Sequence, residues 1–402
     1  MIALMDKLLK ILFFIVPIFP WIKEFLPTFG NVIEIILLLG IYTLSFFVIV
    51  KGRNKEILKK FLSLNVIITI LLIYTLIYDG NLSDGLSGFR IYLEIFITIM
   101  GINIIYVYKG KEGVLNITKY ILYITIILSL FGLIQFIYPD IVVNMHSSEI
   151  YTNLRMKSDF KAFSIFNRAI SLMNDPNVYA MYLIVVYPIV DILYSNDILS
   201  RKLKIILKIL ISINILLTNS RQGLILYVFY IILMLILKVL EAYKKQYIKV
   251  SLKVFFNMFL IFIISMFIIL NISYILENIL RIDTISNLNG RSEKNEFVRK
   301  MLFDSGVVKL LFGNGISSSR DFIFENSYFL LIYQLGIFTS ILIFYITRLM
   351  LKIPGSIDCF KVKISKIQIP IIIFLLAMYT GDWIIIPQIM IPLVAVLFSV
   401  KL

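Results

Sequence analysis

LILYVFYIILMLIL, residues Leu224–Leu237, carries no charge from end to end, and neither does FLIFIISMFIIL, residues Phe259–Leu270. Neither alternates in polarity as a membrane β-barrel strand would, so both read as helices. Apolar stretches of about 20 residues, each able to cross a ~30 Å hydrocarbon core, recur along the whole chain. In lipid such stretches must be helical, because every backbone amide has to find its partner within the segment. Composition points the same way: the 402 residues are 60% hydrophobic and 16% charged, with a mean hydropathy of +0.95. Soluble domains run about 45–50% apolar.

The expectation is an all-α integral membrane protein with about 12 transmembrane helices and a large external loop between helices 9 and 10. The spans are expected at roughly 8–22, 31–50, 61–78, 89–108, 120–138, 177–194, 205–218, 222–240, 254–272, 327–347, 367–381 and 384–400. Residues 1–402 form one polytopic membrane domain, with external loops at about 139–176 and 273–326. Met1–Trp21 starts like a signal peptide, but no small-residue cleavage motif follows, so it is read as the first helix.

The formal charge of +15 is distributed as a topology signal. With the N-terminus inside and the spans alternating, 25 of the 39 Lys and Arg residues fall inside or at inner helix ends. Most of the others lie in the two long external loops, which the orienting rule barely counts. Both termini are then cytoplasmic, and no nucleic-acid partner is needed. A single Cys (Cys359) excludes a disulfide framework, and one His (His146) with one Cys excludes an ordinary zinc site. No Walker-type loop and no D-x-D motif is present, so neither ATP nor a nucleotide sugar is suggested; no cofactor and no metal is expected.

Long loops in compact proteins are uncommon and often functional. In the second external loop, Glu293–Phe312 places Phe297, Met301, Leu302, Val308, Leu311 and Phe312 at helical spacing. That pattern predicts an amphipathic helix across the outer mouth of the bundle.

Four external features could carry chemistry. The turn Thr218-Asn-Ser-Arg-Gln-Gly223 joins two very apolar helices and contains Arg221. A helix N-terminus offers free amides and a partial positive charge, and Arg binds phosphate through paired hydrogen bonds, so this turn suits an anion. The competing reading is an Arg snorkelling to lipid headgroups. Asn289-Gly-Arg-Ser292 contains Arg291 and is followed by Gly313-Asn-Gly315; alone, these are a solvated loop charge and turn glycines. Glu325-Asn-Ser-Tyr328 precedes the tenth helix, which runs to Gln334-Leu-Gly336, and Glu325 alone is a carboxylate favoured by the helix dipole. Asn174-Asp-Pro-Asn177, with Arg168 upstream, opens the sixth helix as an N-cap with Pro in the first turn.

Taken in order, these features resemble the O-antigen polymerase and O-antigen ligase superfamily of bacterial polysaccharide assembly. That family has an (N/D)PN element opening a helix and an S-R-x-G turn between two later helices. Its long external loop carries an Arg and a G-x-G, then ends in a His-Asn-x-Tyr/x-Leu element leading into a helix with Leu-Gly. The matching residues are Asp175-Pro-Asn177, Ser220-Arg-Gln-Gly223, Arg291, Gly313-Asn-Gly315, and Asn326-Ser-Tyr328 with Leu335-Gly336. The resemblance covers about residues 160–345. The family's frequent His is Glu325 here, which favours the polymerase over the ligase; Glu can still accept a proton or orient a hydroxyl.

The resemblance implies a polymerase of O-antigen, capsule or exopolysaccharide repeat units in the bacterial cytoplasmic (inner) membrane. Its donor would be a glycan on polyprenyl (undecaprenyl) pyrophosphate, and its acceptor a lipid-linked glycan. Arg221 and Arg291 would stabilise the leaving pyrophosphate and Glu325 would act as base. Arg168, Asn177, Arg320, Asn326 and Tyr328 would bind substrate. Membrane lipid, a chain-length regulator and a flippase are the other expected partners. The alternatives are a ligase using another acceptor and a flippase for lipid-linked oligosaccharide. Transporters generally place ionisable groups deep in the membrane, and here Glu94, Arg90 and Asp191 are the main candidates.

Overall fold

Among the described residues every regular element is helical, as long apolar runs with no polar alternation require. The computed structural model describes residues 1–52, 54–78, 82–138, 168–173, 175–244, 306–316, 326–351 and 386–400, with 300, 318 and 378 singly. At 78, 82–84, 87, 221, 237–244 and 400 it describes the backbone alone. In chain order the helices are α1 (Ile2–Ile15), α2 (Phe19–Phe25), α3 (Pro27–Gly52), α4 (Lys55–Tyr78), α5 (Leu82–Ile137), α6 (Pro176–Ser195), α7 (Arg201–Leu217), α8 (Arg221–Lys244), α9 (Val307–Phe312), α10 (Ser327–Leu351) and α11 (Pro387–Val400).

Among the described residues, five helices are long and apolar enough to cross a membrane: Pro27–Gly52, Lys55–Ile77, Gly88–Ile137, Pro176–Ser195 and Ser327–Leu351. The chain is an α-helical membrane protein. The expected ninth and eleventh spans, 254–272 and 367–381, lie outside the described residues, 378 excepted.

The first span differs from expectation. Instead of one helix over 8–22, α1 ends at Ile15, a 3₁₀ turn covers Val16–Ile18, and α2 follows. Pro17 and Pro20 explain the interruption, since neither donates an amide hydrogen to the preceding turn.

α5 carries the expected fourth and fifth spans in one run, their connection shortened to a break at Gly110 while 111–119 continue as helix. A straight helix of 56 residues would be about 84 Å long, far more than a bilayer core. Gly110 breaks it at φ 63° and ψ −159°. Beyond the break, a Cβ on Gly113 would lie 2.9 Å from Ile105 Cγ2. In a straight helix residues eight apart are about 12 Å apart along the axis, so the chain folds back at Gly110. Each arm is then one span, and the ends at Leu82 and Ile137 return to the same end of the bundle. α1, α3, α4, α6, α7, α10 and α11 all pack on α5.

Partly buried ion pairs fasten the helices at both ends. Near the start of α5, the Glu34 carboxylate, 2% exposed, receives Lys23 on one oxygen and Arg90 Nε at 3.1 Å on the other. Arg90 also donates to Asn31 at 2.8 Å. Near the fold-back of α5, Asp6 pairs with Lys10 at 2.9 Å and Lys109 at 2.8 Å, clipping α1 to α5. Asp191 likewise holds Lys204 at 2.8 Å, joining α6 to α7.

Candidate functional site

Asp175 caps α6: its backbone is extended and its side chain accepts from the amides of Asn177 at 2.6 Å and Val178 at 3.1 Å. Pro176 follows in the first turn, where its missing N–H costs nothing. Ser220 caps α8 in the same way, its hydroxyl accepting from Gly223 N at 3.2 Å. Asn219 turns the chain between α7 and α8 at φ 46°, a conformation Asn tolerates better than most residues.

Those two helix starts meet. Ser220 Oγ donates to Asn177 Oδ1 at 2.8 Å, and an Arg168 terminal nitrogen donates to the same oxygen at 3.1 Å. Arg168 Nε donates to the Thr218 carbonyl at 3.0 Å, and Ala169 N donates to the Leu217 carbonyl at 2.9 Å. Gly223 allows the approach: a Cβ there would lie 2.6 Å from Ala180 Cβ. The segment before α6 is held from its other side by Gln135, whose side-chain oxygen accepts from Ile170 N at 2.8 Å and Ser171 N at 3.0 Å. Sequence reading passed over Gln135; its one signal was a lone amide near the end of an apolar helix.

Electrostatics separates the two caps. The Asp175 carboxylate sits on the amides that open α6, whereas α8 opens on the neutral Ser220 and on Arg221. The positive end of the 24-residue α8 keeps no capping charge of its own, which is the arrangement an anion favours.

A second joint forms at Gly313-Asn-Gly315. Asn314 N donates to the Tyr333 carbonyl at 2.8 Å and Gly315 N to the Gln334 carbonyl at 3.0 Å. Gln334 in turn donates to the Ile316 carbonyl at 2.9 Å and accepts from the Tyr92 hydroxyl at 2.6 Å. Gly313 (φ 82°) and Gly336 (φ 74°) touch backbone to backbone, and a Cβ on either would collide with the other strand of chain.

The contact breaks the expected tenth span. α10 is not continuous over 327–347: at Gly336 it turns sharply enough that Ser340 Oγ reaches the Leu331 carbonyl at 3.2 Å. Thr339, just beyond, bonds Tyr74, close to the end of α4. The break therefore sits at the same end of the bundle as the start of α5 and, through the fold-back at Gly110, as the α6–α8 joint. The expected helix over Glu293–Phe312 is interrupted too. Gly306 at φ 85° starts a separate α9, and 293–299 and 301–305 lie outside the described residues.

Of the residues singled out in sequence, Arg168 and Asn177 come together with Ser220. Asn326, 2% exposed, caps α10 through its side-chain oxygen, accepting from Tyr328 N at 2.9 Å and Phe329 N at 3.3 Å. The Tyr328 side chain stands 37% exposed at the same helix start. Arg291, Arg320 and Glu325 lie outside the described residues, and Arg221 is described by its backbone alone. Compared with protein-family models, with curated proteins and with solved structures, the chain finds no match.

Proposed function

We propose that this chain is a polymerase of surface-polysaccharide repeat units in the bacterial cytoplasmic membrane, acting at the end of the bundle that holds the α6–α8 joint. The observation that carries the reading is that joint. Two motifs 43 residues apart in sequence meet through Asn177 and Ser220 and set the backbone of Arg221 at the positive end of α8, which carries a neutral cap and no acidic residue in its first turn. In the proposed reaction, the acceptor hydroxyl oxygen attacks the anomeric carbon of a glycan linked to polyprenyl pyrophosphate. The bond from that carbon to the pyrophosphate oxygen breaks, and the hydroxyl proton passes to Glu325. Arg221 and Arg291 take up the charge that grows on the pyrophosphate. With the joint on the outer face, both termini are cytoplasmic, as the distribution of basic residues favours.

The test is a ladder of glycan lengths from cells carrying variants, with membrane protein amount checked in parallel. Lys offers a point charge without the planar fork. Arg221→Lys and Arg291→Lys should therefore lose activity by about a hundred- to a thousandfold, the usual cost of a positioned charge-stabilising donor. Glu325→Gln should leave single lipid-linked repeats to accumulate. A normal ladder from Arg221→Ala and Glu325→Ala sinks the assignment and makes a flippase the better reading. Activity retained only on a different acceptor would make the enzyme a ligase.

A further inference from the structure

The Gly313–Gly336 joint has an outward side that the proposed site does not use. α9 buries none of its residues: Val307 is 71% and Val308 68% exposed, with Leu311 and Phe312 near 40%. These four side chains occupy one side of the short helix, with Lys309 beyond them. The Phe312 ring rests on Phe338, their centroids 6.0 Å apart. Phe338 heads a stripe of exposed apolar side chains, continuing through Ile341, Tyr345 and Leu349 down the second arm of α10. On a membrane-spanning helix such a stripe faces acyl chains. The Phe312–Phe338 contact joins the α9 face to that stripe.

We propose that α9 is a ledge inserted in the bilayer, its Val307, Val308, Leu311 and Phe312 face seated among the lipid acyl chains of the leaflet at this end. Water would leave that apolar face unpaired, whereas an interfacial helix buries such a face about 5–10 Å into the headgroup–acyl boundary. Lys309 extends its ammonium to the headgroups while its stem follows the apolar face. Continuity with the Phe338 stripe favours lipid over a protein partner. The ledge does not rest on the polymerase reading, since a transporter could carry the same ledge.

The experiment uses full-length protein in which Cys359→Ser removes the native thiol, with single cysteines placed by Val308→Cys and, as a lipid-facing reference, Ile341→Cys. Each is labelled with an environment-sensitive fluorophore in nanodiscs. Quenching is then compared between nitroxides carried high on the lipid acyl chains and iodide in the buffer. The expected result is blue-shifted emission at position 308, quenched by the lipid nitroxide as strongly as at 341, and little response to iodide. Quenching by iodide alone would place α9 in water and overturn the proposal. Resistance to both quenchers would also overturn it, because protein rather than lipid would then cover this face.

Discussion

Two joints at one end of this bundle are built from opposite materials. The α6–α8 joint is made mostly of side chains: Arg168 and Ser220 both donate to Asn177, and Gln135 holds the approach to α6, with one backbone bond from Ala169 to Leu217 beside them. The α9–α10 joint is made of backbone: residues 314 and 315 donate to the carbonyls of 333 and 334, and two glycines meet where no side chain fits. A joint of side chains can be altered one atom at a time, keeping the fold while its charges are retuned. A joint of backbone tolerates almost no substitution, but its geometry does not depend on any titratable group. A third joint, the Asp6 clip at the other end, relies on charge and so responds to pH.

The comparison breaks most readily at Gly336. Gly336→Ala combines a left-handed backbone, costing roughly 1–3 kcal/mol, with overpacking against the backbone at Leu311, costing about 1–3 kcal/mol more. Gly110→Ala meets the same backbone cost of roughly 1–3 kcal/mol but has open space around the new methyl, so no overpacking adds to it. Thermal unfolding in detergent should rank Gly336→Ala well below Gly110→Ala. Equal losses would mean that the backbone joint contributes nothing beyond its dihedral angles.

The side-chain joint should fail more gently. Asn177→Ala leaves the Ser220 hydroxyl and one Arg168 nitrogen without their acceptor, at about 1–3 kcal/mol for the buried donor. In a double-mutant cycle with Ser220→Ala the two changes should be coupled by about 0.5–3 kcal/mol, as expected for residues that share one bond network. Strict additivity would show that Asn177 and Ser220 act independently and that the joint is not a unit.

The smallest effect belongs to the charged clip. Burial pushes the Asp6 carboxyl up, but the hydrogen bonds and charges of Lys109 and Lys10 outweigh it and hold it below the usual carboxylate range. A depressed folded-state value means that its stabilisation is present above the ordinary Asp range and is lost as pH falls through the lowered value. Asp6→Asn should therefore lower stability at neutral pH and flatten the acid limb of the unfolding curve. An unchanged acid limb would take the clip out of the pH response.

Much of the helical architecture was legible because hydropathy acts over one segment at a time. The apolar lengths of α3, α4 and α6 correspond to the spans expected from sequence. The starts of α6 and α8 are local too: Asp175 before Pro176, and Ser220 three residues before Gly223, are capping patterns that need only the following turn. Where the reading failed, the cause was a residue whose effect depends on a distant partner or an unusual dihedral. Gly110 reads as one residue of an eleven-residue connection, yet it makes the turn almost alone. Gly336 reads as a small residue inside a span, and it breaks the helix because Gly313, 23 positions earlier, needs its space.

By itself, then, the sequence determined the helical runs of α3, α4, α6, α7 and α8 and that the chain is a membrane protein. Only the tertiary structure decided that Asn177 serves Ser220 and Arg168 together, and that Gly313 rests on Gly336. Helix formation and capping close hydrogen bonds between residues three or four apart, so their causes lie side by side in the chain. A joint closes bonds between residues tens of positions apart, and its partners are chosen by how α5, α6, α8 and α10 pack.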